Sequence, residues 1–237
     1  QFFSYLINGI SLGSVYALIA LGYTMVYGIA KMLNFAHGDV IMIGSYVVYF
    51  AFGASGLNPV LSIVLSMIVC TILGVVIERL AYRPLREAPS LAVLITAIGV
   101  SYLLQQVAQL SWSSNPKSFT SVVSGMKPVS LFGGQLTISA ETIVTIVACV
   151  VIMVVLMWFV NYTPAGHAML AVSEDRGAAQ LMGVNVNGTI SLTFAIGSAL
   201  AAIAGALLCS SYPTLQPTTG AMPGIKAFVA AVFGGIG

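Results

Sequence analysis

Long apolar segments recur along the chain, and their length restricts the fold more than any other feature of the sequence. A segment of about 20 apolar residues is long enough for an α-helix to cross the hydrocarbon core of a bilayer. Only 6% of the residues are charged, whereas about a quarter are charged in soluble domains. The chain is therefore predicted to be an all-α, polytopic transmembrane helical bundle. The predicted full spans are residues 5–29, 60–77, 91–110, 141–160 and 188–210.

Two further apolar segments are too short for a full crossing. Residues 40–52 follow the polar break KMLNFAHGD (31–39), and residues 225–237 follow a Pro- and Thr-rich loop (212–224). A half-helix, or a span that begins inside the polar break, explains the first segment. A full span, a break and a short apolar element thus occur in both 5–52 and 188–237. Broken helices at matching positions of two halves often line a transport path, so a loose internal symmetry of this kind is predicted.

Basic residues in short loops predict the orientation, because such loops stay in the cytoplasm. Arg79, Arg83 and Arg86 mark the charged loop 78–89 as cytoplasmic. Counting spans from that loop places Arg176 and Lys31 on the same side, with the N-terminus outside if residues 40–52 cross. The long polar connection 111–140 is then external, although its Lys117 and Lys127 argue weakly against this orientation. The three arginines are interpreted first as topology anchors and second as contacts for a partner.

A polar island, residues 161–187, separates two of the long spans. Thr163 before Pro164 has the pattern of a helix N-cap with proline at the first helical position. Ser173 is predicted to cap a second short helix, residues 174–182, and Gly183 to end it. A helix this short is marginal in water alone. The island is therefore predicted to be held by something outside the membrane.

The sequence contains no energy source or catalytic constellation of its own. It lacks a GxxxxGK[ST] phosphate loop, an HExxH or similar metal-ligand spacing, and a GxSxG nucleophile elbow. The three cysteines lie in apolar runs and are interpreted as small packed side chains. Ionisable groups are predicted to be absent from the deep parts of the spans, and a net charge of +2 is too small to suggest nucleic acid. The chain is predicted not to be an enzyme, and its driving energy must come from a partner.

Several motifs resemble one transporter family. GAAQLMG (177–183) is similar to the EAAxxxG signature of ABC importer permeases, with glycine in place of the acid. NFAHGD, AYRPLR and GIKAFVAAVFGGIG, in this order, resemble the high-affinity branched-chain amino-acid ABC transporter permeases of the LivH type. The resemblance covers the whole chain and implies a single permease domain, residues 1–237, in a bacterial inner membrane. Because family members continue beyond GGIG, the C-terminus is expected to be incomplete.

The resemblance also implies a set of partners. These are a second, LivM-like permease, two cytoplasmic ATP-binding subunits that hold ATP and Mg, and a periplasmic substrate-binding protein, with no cofactor or metal on this chain. In the family, the cytoplasmic loop equivalent to residues 163–183 couples the permease to the ATPase. The coupling residues are predicted to be Glu174, Asp175, Arg176, Gly177, Ala178, Ala179, Leu181, Met182 and Gly183. The alternative is a solvated loop that touches nothing.

A translocation path is predicted near the broken helices. Half-helix N-termini can supply the donors that the carboxylate of an amino acid needs. Three polar residues of the first break are also explained by local roles, with Asn34 or Asp39 as a helix cap and His37 as an interfacial side chain. Gln105, Gln106 and Gln109 are interpreted as lining the outer mouth or, more simply, as facing headgroups. The path candidates are Asn34, His37, Gly38, Asp39, Gly44, Ser45, Gly224 and Lys226.

The predicted function is inward transport of branched-chain amino acids by a permease subunit that partner ATPases drive. Permeases for urea or short amides in the same family are the first alternative, since selectivity in such importers rests largely on the soluble receptor. A secondary carrier or channel without ATP is the second, and an intramembrane enzyme is the third.

Overall fold

The computed structural model describes residues 2–86, 88–123, 128–131 and 136–235, which form a bundle of helices. Among these residues, five helices are long and apolar enough to cross a membrane. The prediction of an all-α, polytopic bundle is confirmed. The helices are α1 Phe2–Ala30, α2 His37–Val48, α3 Pro59–Ile77, α4 Ser90–Trp112, α5 Ala140–Tyr162, α6 Pro164–Glu174, α7 Arg176–Leu181, α8 Val186–Ser211 and α9 Ala221–Phe233.

The basic residues gather at one end of the bundle, as the loop pattern predicts. The guanidinium of Arg86 donates to Asn187 near the start of α8, and that of Arg176 donates to the carbonyl of Ala30 at the end of α1. We call this the basic end; it carries Lys31, Arg79, Arg83, Arg86 and Arg176. Lys117 lies at the opposite end, and Lys127 lies outside the described residues. Which end faces the cytoplasm stays a prediction.

The predicted loop 78–89 is wrong at its start, because the helical chain continues beyond α3. A π-helical turn covers Glu78–Tyr82 and a 3₁₀ turn covers Arg83–Leu85. Glu78 is fully buried there, where it forms an ion pair with Arg86 and accepts a hydrogen bond from Ser191 Oγ at 2.7 Å. Since the carboxylate is paired, it can lie inside the bundle. A similar π-helical turn, Tyr49–Ala54, extends α2.

Helix α8 is the core of the bundle and packs against α1, α2 and α3. Most of its buried residues are small, which lets the neighbouring backbones approach closely in the absence of a hydrophobic driving force. A methyl group at Gly44 of α2, for example, would lie only 2.8 Å from the Cα of Ala202. Helices α4 and α5 instead expose most of their surface, as spans in contact with lipid do.

Short strands join the connections at the opposite end. They are β1 Lys117–Ser118, β2 Val129–Leu131, β3 Leu136–Ile138 and β4 Thr214–Leu215. β1 pairs antiparallel with β4, with Lys117 opposite Leu215, and β2 pairs with β3. The predicted loop 212–224 is wrong at its end, because α9 begins at Ala221. Residues 236–237, the end of the predicted element 225–237, lie outside the described residues.

Candidate translocation junction and coupling surface

Helix α2 begins inside the bundle rather than at its edge. The chain leaves α1 through Lys31, which has φ of 50°, a left-handed conformation that turns the backbone sharply. It returns toward the centre, where the ring of His37 fills the space beside Gly22; a methyl there would lie 2.5 Å from His37 Cε1. Gly22 precedes the end of α1 by about 12 Å along the axis. α2 therefore begins inside the predicted break and part-way through the bundle, and the π-helical turn continues it to Ala54; we call it a half-helix because of this interior start.

Helix α9 begins at the same point. A Cβ added at Gly38 of α2 would lie 2.6 Å from the carbonyl oxygen of Gly220, and one added at Gly224 would lie 3.0 Å from the Cα of Gly38. Only glycine permits this approach, because any side chain would have to displace backbone atoms. We call this contact of His37, Gly38, Gly220 and Gly224 the junction.

The two half-helices run in opposite directions from the junction. The ring of Tyr46, late in α2, stacks on Trp112 at the far end of α4, with ring centroids 4.4 Å apart. The ring of Phe228, on α9, lies 5.4 Å from that of Phe35, in the segment that leads back from the basic end. α2 thus runs toward the opposite end, and α9 runs toward the basic end.

The junction is tightly closed, yet its polar groups are incompletely paired. Among the described residues, the N-cap residues Ala36 of α2 and Gly220 of α9 provide no side-chain cap, but the carboxyl group of Asp39 lies in the first turn of α2. In the described part of the chain, the buried Nε2 of His37 has no hydrogen-bond partner. The ring of Tyr23 packs on that of His37, with centroids 4.6 Å apart. Helix N-termini favour an anionic group, but Asp39 already places a carboxyl group in the first turn of α2, and the close packing leaves no space for another group.

Polar side chains tie the start of α2 to its neighbours. Tyr82 Oη donates to Asn34 Oδ1 at 2.9 Å, and Gln105 Nε2 donates to Asp39 Oδ1 at 2.9 Å. Gln105 lies about 22 Å along α4 from its first residue. Asn34 accepts from Tyr82 rather than capping α2, whereas Asp39 lies in the first turn of that helix. Gln105 faces the bundle interior rather than headgroups. Asp39 is also buried, so this residue of the predicted break brings an ionisable group inside the bundle at the start of α2.

Gly44 and Ser45 serve helix packing in this structure. The carbonyl of Gly44 accepts a hydrogen bond from Ser66 Oγ of α3 at 2.8 Å. Ser45 is fully buried, and its Oγ donates to the carbonyl of Ile41 at 2.9 Å. Both residues therefore face α3 and α8 rather than a cavity.

Lys226 differs from the other seven path candidates, because it is exposed while they are buried. It borders a cavity of about 310 Å³ between α1, the end of α8 and α9. Leu12, Tyr16, Tyr212 and Met222 are also in the wall of this cavity. Tyr16 lies midway along α1, about 21 Å from either end. A charged group is thus placed at an exposed site near the middle of an apolar bundle, where charged groups are costly against lipid and mark pathways or contacts.

At the basic end, α6 and α7 form the predicted pair of short helices. Thr163 caps α6 and accepts a hydrogen bond from the Gly166 amide at 3.0 Å, as predicted. The predicted cap of α7 is wrong. Asp175, not Ser173, accepts hydrogen bonds from the amides of Gly177 and Ala178, at 2.7 and 3.0 Å.

The two candidates for that cap differ in backbone conformation. Asp175 is extended, with φ of −149°, so its carboxylate can reach forward to the first turn of α7. Ser173 is still within α6, and its hydroxyl donates back to the carbonyl of Leu170 at 2.7 Å. The predicted helix 174–182 is therefore shorter, Arg176–Leu181, and Glu174 is the last residue of α6.

The coupling candidates divide into an outer and an inner group. Leu181 and Met182 are 89% and 85% exposed, beside Ala178 and ahead of Gly183, whose φ of 85° ends the helix. Ala179 is only 4% exposed and packs inward. The start of α7 is also exposed, at Glu174, Asp175 and Gly177. Arg176 instead points toward α1, where its guanidinium donates to the carbonyl of Ala30. The short helix thus presents an apolar tip and is fastened to α1.

Comparison with known proteins shows the family to which the chain belongs. A family model described as "branched-chain amino acid transport system / permease component" matches residues 5–237. The chain belongs to this permease family. It is 44% identical over 244 residues to BraD of Pseudomonas aeruginosa, named a high-affinity branched-chain amino acid transport system permease protein. That alignment covers 98% of this chain and 78% of BraD.

The proteins named LivH of Salmonella typhimurium (strain LT2) and Escherichia coli (strain K12) are each 42% identical over 247 residues. These alignments cover all of this chain and 80% of the relative. No solved structure matches this permease. The family and the five apolar helices make it a multi-pass membrane protein of a transport family rather than an enzyme family. The predicted family and the main functional prediction are confirmed, and the urea and ATP-free alternatives are not favoured.

Proposed function

We propose that this permease is the membrane subunit of an ABC importer that moves branched-chain amino acids into the cell. The names of its relatives support the substrate class, because alignments at 42–44% identity cover nearly the whole chain. The sequence has no phosphate-binding loop, so ATP and Mg would be held by two partner subunits. A second, LivM-like permease and a periplasmic substrate-binding protein would complete the assembly in a bacterial inner membrane.

The observation that carries the proposal is the apolar tip of α7. Leu181 and Met182 are almost fully exposed at the end of a six-residue helix that has no other large apolar side chain and lies beyond the spans. Large apolar side chains at such exposure favour a partner with an apolar groove. Residues 163–183 would be the coupling loop, and the outer group of α7 would enter the groove of an ATP-binding subunit.

A short chain of contacts would connect the apolar tip of α7 to the junction. Arg176 joins the first residue of α7 to Ala30, and the next residues lead to Asn34 and the junction. A displacement of α7 would therefore pull on the segment that positions the start of α2. Opening of the junction would expose the N-terminus of α9, which has no acidic residue in its first turn, to a carboxylate, and Lys226 would meet it from the same helix.

The coupling proposal is tested with Leu181→Ser and Met182→Ser combined. In the reconstituted assembly, we expect receptor-dependent leucine uptake to fall by at least about tenfold. Docking would bury both side chains, and the loss of each contact should weaken docking several-fold. ATP-binding subunits should also copurify less. Leu110→Ser, at an 88% exposed leucine near the end of α4, is the matched control, since it makes the same kind of change outside the coupling loop. Normal uptake in the double variant would contradict docking through α7.

The substrate and the energy source are tested in the same proteoliposomes. Uptake of labelled leucine, isoleucine or valine is expected to require ATP and the binding protein. Uptake of urea or acetamide in their place would contradict the substrate class. Leucine uptake by this chain alone, without ATP, would contradict the importer mechanism.

A further inference from the structure

A second cavity lies at the basic end, away from the junction. It measures about 400 Å³ and opens between the end of α1, the segment after it and the start of α4. Its walls combine basic side chains with apolar ones. The basic ones are Lys31, Arg86 and Arg176, and the apolar ones include Leu33, Val93 and Leu94. We call it the basic cavity.

The positive charge of the basic cavity exceeds the negative charge that the described residues supply. Glu78 pairs with Arg86, and this is the one ion pair within the described ranges. Arg176 donates to a neutral carbonyl, and burial together with the nearby Arg86 guanidinium lowers its pKa. Lys31 is exposed at the rim. Within the described ranges, Arg176 and Lys31 therefore have no carboxylate partner.

The two guanidinium groups that line this space keep hydrogen-bond donors that the described residues do not use. Among the described residues, the buried Nε of Arg86 has no partner although both terminal nitrogens are used. Arg176 uses one terminal nitrogen on Ala30, which leaves other guanidinium donors free for a ligand. Arginine donors of this kind suit a phosphate group, because one guanidinium can donate two parallel hydrogen bonds to two phosphate oxygens.

The apolar wall distinguishes a lipid from a free anion. Leu33, Val93 and Leu94 line the cavity, and the surface of α4 continues from it with the exposed side chains of Leu91 and Ile95. An acyl chain on this surface would run along α4 while its headgroup lies between the cations. Basic pockets between membrane helices are known to hold anionic headgroups in this way.

We infer that the basic cavity binds an anionic phospholipid through its headgroup phosphate, with Arg176 and Lys31 as the main contacts. The lipid would join α1, α4 and α7 at the place where Arg176 fastens the coupling loop. The inference does not depend on the transported substrate or on the ATP-binding partners.

The test is lipid binding by the full chain in phosphatidylcholine nanodiscs, with and without phosphatidylglycerol, followed by native mass spectrometry. We expect selective retention of phosphatidylglycerol, and about fivefold weaker retention for Arg176→Gln or Lys31→Gln, since each cation near the surface contributes about that factor. Arg83→Gln is the matched control, because Arg83 is an exposed cation at the same end outside the cavity. Lys31→Gln keeps the test valid if Arg176→Gln fails to fold, because Lys31 is exposed.

Three results would overturn the inference. Equal loss in Arg83→Gln would indicate a diffuse surface charge rather than a site. Equal retention of phosphatidylcholine and phosphatidylglycerol would exclude a site for anionic lipid. Displacement of phosphatidylglycerol by millimolar inorganic phosphate, with the same dependence on Arg176, would assign the cavity to free phosphate instead.

Discussion

Helix α2 is buried on nearly every side, whereas α9 is buried only along the edge that carries Gly224, Ala227 and Ala231. Both are half-helices that follow a long helix and a returning segment, and both begin at the junction. Their returning segments are also held differently. Side-chain hydrogen bonds to Asn34 and Asp39 fix the first, and pairing of β4 with β1 fixes the second.

This difference shows that one half of the junction is part of the core and the other is a surface element. The exposed side of α9 is apolar apart from Lys226. A cation there needs a neighbour other than lipid, such as a water-filled path or a second subunit. The comparison therefore predicts that changes near α2 affect stability first and that changes on the outer side of α9 affect transport first.

The largest effect is expected from Gly220→Ala. The new methyl would overlap the carbonyl oxygen of Gly38, and a backbone atom cannot rotate away. Overpacking at such a site costs about 1–3 kcal/mol or more, and leucine uptake should be lost. Unfolding in mixed detergent micelles measures the stability. Gly28→Ala, where a methyl would meet nothing within 4 Å, should be tolerated.

Asp39→Ala should destabilise the α2 half by about 1–3 kcal/mol, because the amide of Gln105 loses the nearer of its two acceptors and keeps only Ser101 Oγ at 3.3 Å. The same unfolding assay checks this value. Replacing both residues, Asp39→Ala with Gln105→Leu, should restore part of the loss, since no donor then stays unpaired. Additive losses in the double variant would show that the two side chains do not interact.

A smaller loss of stability is expected for Tyr82→Phe. The change removes one hydroxyl that donates to the buried Asn34, and a single hydrogen bond of this kind contributes about 1 kcal/mol. Tyr162→Phe, at an exposed tyrosine, is the control and should leave the unfolding midpoint unchanged. If both variants unfold alike, Tyr82 does not hold the segment before α2.

The smallest effect on stability is expected for Lys226→Met, within about 0.5 kcal/mol, as for other exposed sites. Leucine uptake should nevertheless fall strongly, because the cation of the α9 surface is gone. Met222→Ala, on the same side of α9, is the control for lost apolar contact. Normal uptake by Lys226→Met would remove this surface from the path.

Local signals in the sequence predicted the features that depend on neighbouring residues. Thr163, Pro164 and Gly183 act within one turn of themselves, so the boundaries that they mark are found in the structure. Ser173 and Asp175 are both good caps by type, and the backbone conformation that decides between them is not visible in the sequence. Length and composition sufficed for the spans, because a bilayer imposes both.

Contacts between distant segments could not be predicted in the same way. Glu78 is a charged residue beside other charged residues, so the sequence favours a loop there. Only the folded chain brings Arg86 and Ser191 around its carboxylate. Gly38 and Gly220 are separated by most of the sequence, and nothing local marks them as partners. The sequence suggested two broken helices, but their meeting point and the positions of Tyr23 and Gln105 beside it required the structure.

The contact of Gly38 with Gly220 also constrains biosynthesis. A ribosome completes α2 long before it reaches α9. The nascent membrane protein must therefore hold the first half-helix in place before the second one has been made. The hydrogen bonds of Asn34 and Asp39 to α3 and α4 segments become available much earlier in translation. They can therefore keep the first half-helix anchored until the last one inserts and closes the bundle.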